Sequence, residues 1–267
     1  MELKLKSTQV FMAGVSKVFC LLCISFCAFA QESMVYLDIG RGDARLPTYV
    51  MPNPNATATL ILLPGGDAAT GKIVEGKPGS GNFLSRSRDD FFAANFNVIV
   101  VYRASDMNDL DYRYRVSKEH VSELAKVIAY AKQNFGKPVW LVGTSRGTVS
   151  GTAAAIALGE SAVQGLVLTS SITSIKTGAI STQNIASLKI PTLVVHHKND
   201  ACNLCVPAEA SRMTDYLKSA PVKKFIMIEG GANPSGDPCA ARHWHGFINF
   251  EKETVKMITD WIQNPQG

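Results

Sequence analysis

A short apolar run rich in β-forming residues, Val139-Trp140-Leu141-Val142, stops at Gly143, and the stretch Arg146–Leu158 (RGTVSGTAAAIAL) reads as a buried helix of small residues. Strand, tight turn and helix therefore meet at one serine. The spacing Gly143-x-Ser145-x-Gly147 fits a nucleophile elbow, in which the serine takes a strained backbone conformation and neighbours without a Cβ let strand and helix approach. Such a turn pushes the serine oxygen out at the carboxyl end of a sheet. It also aims the partly positive N-terminus of the following helix at any oxyanion that forms there. As a bare pattern G-x-S-x-G recurs by chance, and its position between a strand and a helix is what gives it weight.

The remainder of the chain repeats the same alternation. Met34–Ile39 and Leu46–Met51, joined through Gly40–Asp43, read as an antiparallel edge, and Thr59–Leu63 is a continuous apolar strand of the kind buried on both faces of a parallel sheet. A glycine-rich loop from Pro64 to Gly81 precedes a helix expected around Asn82–Ala94, followed by a strand at Asn97–Tyr102. Val116, His120, Val121, Leu124, Val127, Ile128, Ala131 and Phe135 then recur at helical spacing. Strands at Gly165–Thr169, Pro191–His196 and Lys224–Glu229 alternate with helices near Pro207–Lys218 and Phe247–Ile262. Strands separated by helices imply right-handed crossovers and a mostly parallel sheet, eight strands in all, covered by helices on both faces.

The chain has 267 residues, 46% of them hydrophobic, which suits one large domain. Its first 30 residues differ in kind: Lys4, Lys6 and Lys17 precede an apolar run from Val18 that ends Ala28-Phe29-Ala30, the pattern of a secretory signal peptide cut before Gln31. That leaves residues 31–267 as a single domain, secreted or periplasmic, with no stable membrane insertion. Loss of the signal removes three lysines and one glutamate from a chain of net charge +5, and the weakly basic remainder does not call for a nucleic-acid partner. Of the six cysteines, Cys202, Cys205 and Cys239 remain; export favours a disulfide, and an odd count leaves one thiol over.

In open parallel sheets function gathers in the loops beyond the carboxyl ends of the strands. The loop Pro64-Gly65-Gly66-Asp67 offers a backbone N–H, that of Gly66 or of Asp67, to an oxyanion, alongside the N–H of Arg146 just past the serine. After the strand ending at His196 comes His197-Lys198-Asn199-Asp200, and Asp200 is the acid expected to orient an imidazole. Near the C-terminus His245, followed by Gly246 and Phe247, is the expected general base, with His243 as its competitor. His120, on the apolar face of its helix, reads as a satisfied structural histidine. Adjacent His196 and His197 point to opposite faces of a strand, which argues against a metal site, and Cys202-x-x-Cys205 lacks the second pair a zinc site needs. Gly66–Lys72 fits G-x-x-x-x-G-K, but Ile73 lacks the hydroxyl of a P-loop and no helix pattern follows.

The order Ser145, Asp200, His245 along alternating strands and helices resembles the α/β-hydrolase fold superfamily over nearly the whole chain after the signal. His245-Gly246-Phe247 is similar to the histidine motif of dienelactone-hydrolase-like members, although those use a cysteine nucleophile where this chain has serine. The resemblance implies a serine hydrolase that cleaves carboxylic esters, small-molecule substrates, without metal or cofactor, through a Ser145–His245–Asp200 triad. Thioesterase, lactonase or peptidase activity, or a catalytically silent binding protein, are the alternatives. The stretch Ser170–Ile190 is too short for a cap domain, and Arg103, Arg113 and Arg115 with Tyr112 and Tyr114 would line the mouth or form a solvated loop. A Cys202–Cys239 bridge would tie the acid loop to the base loop, with Cys205–Cys239 the other possible pairing.

Overall fold

A computed structural model describes residues 31–174 and 178–267; the expected signal peptide, residues 1–30, lies outside the described residues. The strands are β1 (Ser33–Asp38), β2 (Arg45–Met51), β3 (Ala58–Leu63), a two-stranded hairpin β4 (Ile73–Val74) and β5 (Lys77–Pro78), β6 (Phe96–Val101), β7 (Val139–Thr144), β8 (Gly165–Thr169), β9 (Thr192–His197) and β10 (Lys223–Ile228). The helices are α1 (Phe83–Arg86), α2 (Arg88–Ala93), α3 (Tyr112–Arg115), α4 (Lys118–Phe135), α5 (Arg146–Leu158), α6 (Pro207–Tyr216) and α7 (Glu251–Gln263).

Eight strands form one sheet in the order β1-β2-β6-β3-β7-β8-β9-β10. β1 pairs antiparallel with β2 and β2 with β6, and every other pairing is parallel, so the antiparallel edge expected from sequence is present. Alternation along β3 explains the layering. Ile61 and Leu63 face a core shared with Leu124, Val127 and Ile128 of α4, Ala154 and Ala155 of α5 and Met213 of α6. Leu60 and Leu62 face the opposite core, filled by Phe83 and Leu84 of α1, Phe91 of α2 and Val255, Ile258 and Trp261 of α7. A strand apolar at every position is the sequence signature of a sheet covered on both sides. Burial of such side chains stabilises by roughly 1.5–3 kcal/mol each relative to exposure.

Three elements depart from the expectations. The helix expected over Asn82–Ala94 breaks at Ser87 into α1 and α2, with Asn82 capping α1 through its side chain on the Leu84 N–H. The loop Gly71–Ser80 carries the small hairpin β4–β5, and Gly71 and Lys72 enter that hairpin rather than a helix, which removes the P-loop reading. The last helix starts at Glu251, four residues later than expected, because Phe247 sits in the left-handed region (φ 57°) and Asn249 likewise (φ 56°). Between β8 and β9 the described residues hold two short 3₁₀ turns, at Ile180–Thr182 and Ile185–Ser187, and no cap domain.

Candidate active site

Register brings the site loops onto one rim. Leu63 pairs with Gly143, Thr144 with Thr169, and Thr169 with Val195, so the carboxyl ends of β3, β7, β8 and β9 lie side by side. Ser145 follows β7 with φ 51° and ψ −125°, a conformation that costs a non-glycine residue on the order of 1–3 kcal/mol. Its N–H donates to the Thr169 carbonyl at 3.0 Å, and its carbonyl accepts from the Thr148 N–H at 2.9 Å and the Thr148 hydroxyl at 2.6 Å. Those bonds hold the strain. The elbow also needs Gly147: a Cβ there would lie 1.8 Å from the Leu63 carbonyl oxygen. On the neighbouring loop, a Cβ on Gly65 would lie 2.8 Å from that of Ser145, which shows how closely the β3 loop presses on the serine.

Asp200 and His245 are in contact. The His245 Nδ1 lies 2.9 Å from Asp200 Oδ2, and both side chains are buried. An ionised carboxylate only accepts, so Nδ1 is the donor of this bond. Nε2 is buried and, among the described residues, has no hydrogen-bond partner. The loop bearing His245 is fixed at its backbone: Ser170 Oγ donates to the His245 carbonyl at 2.8 Å and Arg86 Nη2 to that of Gly246 at 2.6 Å. Gly246 is required by contact, since a Cβ would fall 2.0 Å from the Ala241 carbonyl oxygen. His243, the competing base, is half-buried with its ring edge-on to Trp244 and is not the histidine on Asp200.

Asp200 has a second imidazole on it that sequence reading did not assign. His196 Nε2 lies 3.2 Å from Asp200 Oδ2 and 3.0 Å from the Cys205 carbonyl oxygen, which makes Nε2–H a shared donor. Oδ1 accepts the Cys202 N–H at 3.0 Å. Burial pushes the Asp200 carboxyl up, but hydrogen bonds from His196 and His245 and their charges outweigh it and hold the group at about 2. The signal was present in the i, i+4 spacing of His196 and Asp200, but the sequence alone does not show that the strand end and the acid loop fold back on each other. His197 turns the other way: its Nε2 donates to the Gly230 carbonyl at 2.9 Å and its ring stacks on Trp244 at 4.7 Å.

Cys202 and Cys239 form a disulfide, with Cα atoms 4.5 Å apart, that links the loop bearing Asp200 to the loop bearing His245. Cys205 is the free, buried thiol. Burial raises its ionisation well above the ordinary thiol range, the Asp200 charge adds to this, and a hydrogen bond with Ser145 opposes it. Cys202, Cys205 and His245 bring two sulfurs and a ring nitrogen within 4.8 Å of one another, but the Cys202 sulfur is oxidised in the bridge and is not a thiolate ligand.

Ser145 and His245 line one cavity of about 280 Å³, together with Gly65, Gly66, Asp67, Phe83 and the Cys239–Ala241 segment. Ser145, His245, Asp200 and the loop bearing Gly66 are thus gathered on the same rim, with Arg146 at the first turn of α5. A larger cavity of about 460 Å³ lies between the 3₁₀ turns and α6 and contains none of these groups. The arginine-rich segment divides: Arg103 pairs with Asp67, Arg113 is exposed, and Arg115 is buried beneath the β3 loop instead of lining the mouth. Among the described residues no helix is long and apolar enough to cross a membrane.

No family model and no curated protein matches the chain. Solved structures are similar in fold. An esterase from Pyrococcus furiosus is 14% identical with a TM-score of 0.63, covering 89% of this chain and 92% of its own. A dienelactone hydrolase from Anabaena variabilis is 14% identical with a TM-score of 0.60 (88% and 98% covered). An α/β serine hydrolase without lid from Xanthomonas campestris is 16% identical with a TM-score of 0.54 (85% and 95% covered). With these relatives and its mostly parallel eight-stranded sheet, the chain has the α/β-hydrolase fold.

Proposed function

We propose that the protein is an exported serine hydrolase that cleaves small carboxylic esters through an acyl-enzyme. The observation that carries this reading is the Asp200–His245 pair, with its unpartnered Nε2, set in one cavity with a strained Ser145. His245 Nε2 takes the Ser145 proton as Oγ attacks the carbonyl carbon. Asp200 keeps Nδ1 protonated and balances the imidazolium. The N–H groups of Arg146 and Gly66 receive the oxyanion; His245 then protonates the leaving alcohol, and water attacks the acyl-enzyme by the reverse steps. Names of similarly folded proteins, an esterase and a lidless serine hydrolase, support the same reaction class. The disulfide supports export, since such bonds persist in oxidising compartments.

The cavity walls suggest a short acyl group. Gly65, Gly66, Ala69, Ser80, Ala240, Ala241 and Gly246 are small, and Phe83 is the one large apolar side chain among the lining residues. The test is hydrolysis of a panel of p-nitrophenyl esters, thioesters, lactones and peptides by wild type and Ser145→Ala. Turnover of short esters that Ser145→Ala abolishes is expected; equal turnover in the variant would end the proposal.

A further inference from the structure

Beneath the β3 loop lies a buried cation with only neutral contacts. Arg115 is 1% exposed, and its guanidinium donates to the carbonyl of Leu110 (3.0 Å), the Ser150 hydroxyl oxygen (2.9 Å), and the carbonyls of Pro64 (3.3 Å) and Gly66 (3.0 Å). Burying a charge this completely is costly unless it is hydrogen-bonded and balanced. A chain of hydrogen bonds continues from Ser150. Ser150 Oγ accepts from Arg115, so its own proton is available to His120 Nε2 at 2.9 Å; His120 Nδ1–H then donates to Glu123 Oε2 at 2.9 Å. Glu123 also accepts from the Tyr114 hydroxyl at 2.7 Å and Arg41 Nη1 at 2.6 Å. Hydrogen bonds from His120, Tyr114 and Arg41 outweigh the burial that would raise the Glu123 carboxyl, and burial holds His120 neutral.

Ser150, His120 and Glu123 have the residue types and contacts of a catalytic triad, but all three are buried within the α4–α5 packing and no substrate carbonyl reaches the hydroxyl. They form a hydrogen-bonded chain from Glu123 to Arg115, while burial and the Arg146 charge lower the Arg115 ionisation and the Asp109 and Asp67 carboxylates oppose that. What Arg115 does with its remaining donors bears on the site. A trans peptide places its N–H opposite its C=O, so fixing a carbonyl fixes the direction of the N–H across the bond. Arg115 holds the carbonyls of Pro64 and Gly66, and the Gly65 carbonyl between them accepts the Ala68 N–H at 3.2 Å. Three successive peptides are clamped. The middle one bears the Gly66 N–H, in a loop whose glycines would otherwise rotate freely (Gly66 φ 59°).

We propose that Arg115 is a positioning residue for the oxyanion loop: its guanidinium holds the Pro64 and Gly66 carbonyls, and so fixes the two peptides that flank the one carrying the Gly66 N–H. This rests on the hydrolase reading for its catalytic consequence, but the clamp itself is measurable without turnover. The experiment compares wild type with Arg115→Met, Arg115→Lys and Ser150→Ala by hydrogen exchange of the 64–69 peptide and by steady-state kinetics on a short p-nitrophenyl ester.

For Arg115→Met the expected result is exchange at least about tenfold faster in that peptide and a kcat about 10- to 100-fold lower with KM within about twofold, since an oxyanion donor acts in the transition state. Arg115→Lys and Ser150→Ala shift both readouts in the same direction by less, and millimolar guanidinium restores part of the kcat of Arg115→Met. A folded variant with exchange unchanged, or with exchange raised and kcat unchanged, overturns the proposal. Where Arg115→Met does not fold, Ser150→Ala and Glu123→Gln give the same two readouts. If wild type turns over no ester the hydrolase reading fails, and the exchange arm alone decides the clamp.

Discussion

Removing the Cys202–Cys239 bridge would uncouple the two loops that bring Asp200 and His245 together. The bridged residues are 37 apart in sequence, and closing a loop of that length in the unfolded chain is worth about 4 kcal/mol by the chain-entropy relation. For a domain of this size each kcal/mol shifts the melting temperature by roughly 2–4 °C, so the bridge accounts for roughly 8–15 °C. The functional effect has a separate origin. Cys202 donates its N–H to Asp200 Oδ1, and the Cys239–Ala241 segment lines the cavity ahead of His245, so the bridge holds the carboxylate and the imidazole loop against each other. Misplacing such a pair by about 1 Å can lower kcat by about 100-fold. The variant is the double one, Cys202→Ala with Cys239→Ala, because a single change leaves a thiol able to pair with Cys205. Protein made in an oxidising compartment would be compared with wild type by thermal unfolding and short-ester turnover, with thiol titration of the denatured chain as a check that wild type holds one bridge. A melting shift under about 2 °C together with kcat within twofold would refute the reasoning.

Further expectations follow from the same geometry. Because Asp200 is held at about 2, below its ordinary 3.8, the stability it contributes is fully present above about pH 4 and is lost as pH falls toward 2. Urea midpoints across pH 2–6 check this, and Asp200→Asn loses that acid-side dependence while lowering kcat by about 10⁴. Gly147→Ala drives a methyl into the Leu63 carbonyl and forces β3 and α5 apart; expected outcomes are a loss of at least about 3 kcal/mol in urea unfolding and no measurable turnover. Across p-nitrophenyl esters, kcat/KM is expected to peak at two to four acyl carbons, about what a 280 Å³ cavity walled by small residues takes beside the alcohol group; a rising trend to long chains would contradict the cavity.

Much of the site was legible because its parts carry local signatures. The elbow is visible in five residues, the acid and base sit in loops directly after a strand and before a helix, and the unbroken apolar runs of β3, β6 and β7 reveal a sheet covered on both faces. What stayed hidden depends on distant pairing. Arg115 in a run of Tyr and Arg reads as solvent-facing, and only the fold sets it under Pro64 and Gly66, 51 and 49 residues away in the chain. His120 reads correctly as a satisfied histidine, but its partners Ser150 and Glu123 show their meaning only once α4 packs on α5. The break at Ser87 and the hairpin at Ile73–Pro78 escaped for a different reason: the elements involved, α1, α2, β4 and β5, are two to six residues long, too short for a period to register.

The central claim is that Ser145 is a hydroxyl activated by His245. Treat the protein with a small fluorophosphonate and map the adduct by peptide mass. One covalent phosphonyl group on the peptide containing Ser145, absent from Ser145→Ala and slowed at least about 100-fold in His245→Gln, is the predicted result. An unlabelled wild type, or an adduct that persists in Ser145→Ala, would contradict it.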